Sequence, residues 1–370
     1  MKTQPPPADM LRSGSYGPGS KAVANWIMIG VVMLLIQVVL GGITRLTGSG
    51  LSITEWNVVT GALPPLNEEA WLREFQKYQQ TPQFYYLNSD FTLSDFKFIF
   101  FWEWFHRFWA RMIGVVFVVG FIYLVNKKYL KKEMRMPLIT LFLFGALQGA
   151  IGWIMVASGL TGDAVYVKPT RLALHFVFAL GLIAYAYWFA LDLRITQKNT
   201  ISHPGLRKWT WWLLIILFIQ LIFGALMAGH KAAIAAPTWP TINGSLVPGG
   251  MLRESPAILN FFENKITIHF VHRGLAYLLL VLIIIYSRKL FSLKTNSTAF
   301  NKARKYPLVF VLIQVLLGIV SVLTAPYIVP SRWGAFEWMA QLHQVTGMLL
   351  VLSLVAMLYL VRKTSTTEPT

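Results

Sequence analysis

The sequence predicts an all-α polytopic membrane protein with eight transmembrane helices, arranged as two four-helix bundles related by a pseudo-two-fold axis. Three observations carry this expectation. Of 370 residues, 55% are hydrophobic and only 13% charged, a composition outside the soluble range. Eight apolar runs reach the roughly 20 residues that a helical span needs. Marked residues also recur with a period: His106 and His272 are 166 residues apart, as are Gln148 and Gln314, and His175 and His343 are 168 apart. Four spans separate the members of each pair, so both halves run in the same direction and their axis lies along the membrane normal.

The spans are expected at residues 23–43, 98–125, 137–157, 171–191, 209–228, 266–286, 307–324 and 339–360. The net charge of +18 is distributed in a way that argues against a nucleic-acid partner. Lys127, Lys128, Lys131, Lys132 and Arg135 fall between spans 2 and 3, and Arg194, Lys198, Arg207 and Lys208 between 4 and 5. Arg288, Lys289, Lys294, Lys302, Arg304 and Lys305 fall between 6 and 7. Positive residues mark cytoplasmic loops, which places both termini inside and the long 44–98 loop outside. The resulting division is a cytoplasmic tail over 1–22, a first bundle over 23–191, a cytoplasmic linker over 192–208, a second bundle over 209–362 and a tail over 363–370. The N-terminal residues lack the pattern of a cleaved signal or a transit peptide, and the expected location is a bacterial cytoplasmic membrane. The absence of cysteine removes disulfides, thiolate metal sites and thiolate haem ligation.

The odd-numbered spans carry a common mark. Gln37 and Gly41, Gln148 and Gly152, Gln220 and Gly224, and Gln314 and Gly318 share one spacing. Glycines let helices approach closely, and glutamines can hydrogen-bond across them. After span 1, Gly, Ser and Thr crowd residues 41–53, which marks irregular backbone. Residues 67–79 place Trp71, Phe75 and Tyr78 at helical spacing, as expected of an amphipathic helix on the membrane surface. The second outer loop, from His230 to Pro248, is too rich in Pro and Gly to form a continuous helix.

The four even-numbered spans each bear a histidine near the start: His106, His175, His272 and His343. Ionisable side chains in spans are functional suspects. A single such histidine can equally serve as a helix–helix hydrogen bond, but four at one depth in repeat-related positions point to bis-imidazole ligation of one haem iron per bundle. Arg45, Arg107, Arg171 and Arg273 are candidate partners for haem propionates. His269 lies three residues before His272 on the same helix face and is a rival ligand. Its repeat counterpart is Glu103, so it is expected beside the iron ligand and not in its place. Glu103 itself is either a catalytic carboxylate or only the partner of an arginine such as Arg107. His203 is expected to be solvated, and His230 to be structural.

These residues resemble the heme A synthase family, in its cysteine-free branch shared by mitochondria and many bacteria. The resemblance spans about residues 25–360. It is carried by Gly41-Gly42-Ile43-Thr44-Arg45-Leu46-Thr47, followed by Ser49-Gly50-Leu51-Ser52; by Glu103 with His106-Arg107; by Thr238-Trp239-Pro240; by His272-Arg273-Gly274; and by His343-Gln344 with Thr346-Gly347. It implies oxidation of the C8 methyl of haem O to a formyl group, through successive hydroxylations and loss of water, giving haem A for terminal oxidase assembly. It implies that His272 and His343 ligate a resident haem b, that His106 and His175 receive the substrate haem O, and that Glu103 is essential. A haem O synthase supplying the substrate, an electron donor and the lipid bilayer are the partners implied. The competing reading from the residues alone is a non-catalytic di-haem b cytochrome that exchanges electrons with quinone. A transporter would instead place its site near the midplane on broken helices.

Overall fold

The structure, a computed structural model, describes residues 18–56, 60–329 and 333–362. Most of the expected N-terminal tail and the 363–370 tail lie outside the described residues. The described residues are mainly helical, with eight helices long and apolar enough to cross a membrane. In chain order the helices are α1 (Pro18–Leu46), α2 (Glu68–Gln79), α3 (Pro82–Leu87), α4 (Leu93–Asn126), α5 (Arg135–Ala157), α6 (Pro169–Arg194), α7 (Pro204–Gly229), α8 (Lys265–Ser292), α9 (Thr298–Ala303), α10 (Tyr306–Thr324) and α11 (Ala335–Leu360). Each of the eight expected spans falls inside one long helix. Each helix extends beyond its apolar run at one end or both.

Two caps set the register of histidine-bearing helices. Thr92 and Asp95 form a capping box at the start of α4: the Asp95 amide donates to Thr92 Oγ1 at 3.4 Å, and the Thr92 amide donates to Asp95 Oδ2 at 2.9 Å. Asn264 Oδ1 accepts from the amides of Ile266 and Thr267 at the start of α8. These side chains satisfy amides that a helix start leaves without partners. His203, expected to be solvated, does the same for α7, with Nδ1 accepting from the Leu206 amide at 3.1 Å. His230 is structural as expected, with Nε2 donating to the Phe262 carbonyl at 2.6 Å.

Among the first four spanning helices, α1 packs against α4 and α6, and α5 packs against α6. Among the last four, α7 packs against α8 and α11, α8 against α10, and α10 against α11. The two sets meet where α6 lies on α7, α1 on α11, and α6 on α11. Helix α11 is the most enclosed, with 67% of its most apolar stretch buried, against 6% for α4 and for α5. Each set has its own aliphatic core, one around Val23, Ile27, Leu138, Leu180 and Ile183, the other around Leu213, Leu279, Ile283, Leu290 and Leu354.

Helix α2 forms where the aromatic spacing places it, and its apolar face packs on α4. Its apolar face is taken by protein: Phe75 and Tyr78 stack on Phe96 of α4, and Trp71 meets Phe100 edge-on at 5.0 Å. The first turns of α4 extend an aromatic ridge beyond the apolar run, and burying α2 against it gives aromatic pairs a specific geometry that a lipid surface lacks. Tyr78 is fully enclosed. Its hydroxyl, pushed up to about 12 by desolvation, donates to Gln83 Oε1 and accepts from Asn88 Nδ2.

Candidate functional site

The four histidines share one local construction. Each sits on a helix whose neighbour is the preceding spanning helix, and each ring edge lies against a glycine of that neighbour. A Cβ added at Gly41 would come 3.1 Å from His106 Cε1, at Gly152 2.9 Å from His175 Cε1, at Gly224 3.1 Å from His272 Cε1, and at Gly318 3.0 Å from His343 Cε1. Any side chain at these positions would displace the imidazole. The glycine-marked spacing of the odd spans is therefore a set of four histidine seats.

The glutamine one helical turn before each glycine completes the seat. Gln37 Nε2 donates to the His106 carbonyl at 3.2 Å and lies 3.3 Å from the ring nitrogens. Gln148 Nε2 donates to the His175 carbonyl at 3.1 Å and lies 3.1 Å from its Nδ1. His343 Nδ1 donates to the Gln314 carbonyl at 3.0 Å, a contact that fixes the tautomer and leaves Nε2 as the basic nitrogen. Gln37, Gln148, Gln220 and Gln314 each keep a buried side-chain oxygen without a partner. Unpartnered buried polar atoms are costly, and their recurrence at all four seats marks places built for something further to bind.

His272 and His343 face each other with ring centroids 6.4 Å apart and planes at 77°. Metal–imidazole bonds run about 2 Å, so this separation suits one metal between two imidazoles. All four histidines line one cavity of about 1550 Å³, in company with Arg45, Arg107 and Arg273. Its walls are mostly apolar side chains of the spanning helices, as a haem-sized ligand requires.

The carboxylate and its repeat counterpart have parallel surroundings. Glu103 is buried, 2% exposed, with Oε1 accepting from Arg107 at 2.6 Å and Oε2 accepting from Ser52 Oγ and the Ile53 amide, both at 2.8 Å. Arg107 also donates to the Ile53 and Glu55 carbonyls. His269 is as deeply buried. Its Nε2 accepts from Arg273 at 3.1 Å, and Arg273 donates in turn to the Thr238 and Thr241 carbonyls. In each case an arginine one turn along the helix clasps the backbone of the loop above the site. Both arginines line the cavity, and both are already engaged as loop clamps. Arg45 is half-buried near Glu337, which caps α11 by accepting from the Gly334 amide at 2.9 Å. Arg171 is not among the cavity-lining residues; it donates to the Ile154 carbonyl.

Sequence reasoning missed the tie between α1 and α11. Gln341 Nε2 donates to the Val39 carbonyl and Gln344 Nε2 to the Val38 carbonyl, and both side chains occupy the space that a Cβ at Gly42 would need. The signal available was the second glycine of Gly41-Gly42, whose neighbour alone fits the histidine seat.

Residues 24–355 match the COX15-CtaA family, described as cytochrome oxidase assembly proteins. Among its relatives, the heme A synthase of Parvibaculum lavamentivorans is 44% identical over 71% of this chain and 76% of its own length. That of Flavobacterium johnsoniae is 40% identical over 90% of this chain and 95% of its own. That of a Bradyrhizobium species is 37% identical over 95% and 91%. With the match running through every histidine seat and both arginine clamps, the chain belongs to the COX15-CtaA family.

Proposed function

We propose that this protein is a heme A synthase, oxidising the C8 methyl of haem O to a formyl group. The observation that carries the reading is the pairing of likeness and difference between the two histidine pairs. The seats are alike, so each pair suits a haem. The residue beside the iron ligand differs, an anionic-type side chain at Glu103 and an imidazole at His269. Two identical electron carriers would not need that difference, which is why the cytochrome reading is set aside. His106 and His175 hold the substrate, and His272 and His343 hold a resident haem b. A bound haem b supplies one-electron redox capacity.

The chain's own residues then act as follows. Gly41, Gly152, Gly224 and Gly318 admit the imidazoles. The Gln314 carbonyl holds the His343 proton on Nδ1. Glu103, fixed by Arg107, Ser52 and the Ile53 amide, holds its carboxylate still beside the substrate pair, where a preorganised charge stabilises developing positive charge or accepts a proton. Arg107 and Arg273 hold the two loops over the sites, and Arg45 is the remaining candidate for a propionate. A haem O synthase as supplier and a separate electron donor belong to the same reading.

The two histidine pairs belong to bundles related by a pseudo-two-fold axis. The contacts support this: α6 on α7 and α1 on α11 are exchanged by the repeat, and α6 on α11 crosses the axis. The histidine ends face outward and the termini lie inside, by the placement of basic residues. A reporter inserted at the exposed Ser89–Asp90 turn tests this without disturbing buried Tyr78. It is expected to read the outer side, and one at Lys131 the cytoplasm; the reverse would invert the topology.

The test of the function is haem extraction and chromatography of the purified protein from cells with a haem O supply. Haem b together with haem O or haem A is expected. Two equivalents of haem b alone, with no haem A formed in the cells, would restore the cytochrome reading.

A further inference from the structure

The two histidine pairs differ in the space around them. Four glycines of the first set of helices line the cavity and have nothing within 4 Å of an added Cβ: Gly30 on α1, Gly114 on α4, and Gly145 and Gly149 on α5. Their repeat counterparts, at the offsets of the histidines on α4 and of the glutamines on α1 and α5, are Leu213, Leu280, Val311 and Val315. Leu213 and Val311 belong to the second core, and Leu280 packs on it. The helix contacts differ in the same place. Helices α8 and α10 are a packed pair, whereas their counterparts α4 and α5 stand further apart and meet through Phe117 and Phe142, ring centroids 6.3 Å apart, below the glycines. One half is closed by aliphatic side chains where the other stands open.

The opening has a direction. Gly149 lies about 4.5 Å and Gly145 about 10 Å along α5 from the His175 seat at Gly152, and Gly114 about 12 Å along α4 from His106. Helix α5 runs antiparallel to α4, so all three positions recede from the histidine level towards the middle of the span. The cavity that holds the histidines continues down between α4 and α5. Val118 and Phe142, which flank it, are exposed.

We infer that this cleft seats the isoprenoid tail of the substrate haem, and that its open glycines are how the first histidine pair accepts a tailed haem while the second accepts only a tail-free one. This rests on the proposed function above. Haem O differs from haem b by a hydroxyethylfarnesyl group, three isoprene units of pure hydrocarbon. Such a tail cannot fold onto the macrocycle's polar propionate edge without exposing apolar surface, and a lipid-side cleft continuous with the iron site gives it an apolar place. In the second half Leu280, Val311 and Val315 fill the equivalent volume, so a tail there would meet packed side chains.

The experiment gives the first half the second half's residues. Gly145→Val with Gly149→Val on one wall, and separately Gly114→Leu on the other, are made in the full-length protein. Bound haems are measured by extraction and absorption after titration with haem O and, in parallel, with haem b. The preference of the first pair for haem O over haem b is expected to fall roughly tenfold or more, as when several methylene groups lose their burial. Haem b at His272 and His343 stays at wild-type occupancy, reporting the fold. Gly145→Ala with Gly149→Ala is expected to retain most of the preference. Unchanged haem O binding by both filled variants overturns the inference and leaves lipid as the occupant of the cleft. Equal loss of haem O and haem b from the first pair also overturns it, because the defect would then lie in the haem seat and not in the tail. Failure of the proposed function looks different: wild-type protein would hold haem O selectively and form no haem A.

Discussion

Protein carrying Glu103→Ala is expected to retain haem b at wild-type occupancy and to form no measurable haem A, with haem O or a partly oxidised haem left bound. The carboxylate makes three hydrogen bonds in a buried site, so its charge is fixed in place before any substrate arrives. Loss of one preorganised group of this kind commonly costs roughly 10²–10³ in rate. Glu103→Gln separates charge from shape. Its oxygen can still accept from Ser52 and Ile53, but its amide then faces the Arg107 guanidinium, donor against donor. Gln is therefore expected to fail as Ala does. Because Glu103 also tethers the loop, Ser52→Ala is the control, removing one tether while keeping the charge. A Ser52→Ala protein that makes haem A at near wild-type rate, beside an inactive Glu103→Ala, assigns the effect to the carboxylate. Normal haem A formation by Glu103→Ala would reduce this residue to a partner of Arg107.

His272→Ala and His343→Ala are each expected to remove most of the low-spin haem b absorption, while His269→Ala leaves it largely intact. The ring separation of 6.4 Å fits one metal between His272 and His343. His269 instead spends Nε2 on Arg273, and that arginine keeps its carbonyl contacts when the imidazole is removed. Absorption spectra of the reduced purified variants, normalised to protein, decide the matter. Loss of the spectrum in His269→Ala with retention in His272→Ala would exchange the two roles.

How much of this was legible in the sequence follows from the kind of signal each feature leaves. Span positions were legible because length and hydropathy are local and the bilayer constrains backbone severely. The histidine repeat was legible because rare residues in apolar surroundings stand out. The glycine spacing was visible, but its purpose was not. A glycine for close helix packing and one for an imidazole edge look identical until the neighbouring helix is in place. The partner of the apolar face of α2 was illegible for a related reason. A moment of Trp71, Phe75 and Tyr78 says that one face seeks an apolar partner, and cannot say whether that partner is lipid or the aromatic ridge of Phe96 and Phe100. The pairing of Arg107 with Glu103 was legible, but the loop contacts of Arg107 and Arg273 were hidden because they are made to backbone carbonyls, which carry no residue-type signature. Propionates were the natural guess for a guanidinium at that depth, and loop carbonyls compete for the same donors.

The hydrogen bonds from Gln341 and Gln344 to α1 join residues 302 and 306 positions apart. That separation has a consequence for biogenesis. Lipid provides no hydrophobic drive for one span to find another, so association rests on packing and polar contacts. Gln37 fastens α1 to α4 early, whereas the two contacts from Gln341 and Gln344 wait for α11, far later in the chain. Helix α11 also brings His343, so the second imidazole pair comes into being only once α11 is in place. Earlier intermediates of synthesis hold at most a single imidazole at that centre and an unsealed α1. Closure of α1 against α11 and the pairing of His272 with His343 are thus later events than insertion of α10, and truncation before Ala335 would remove both.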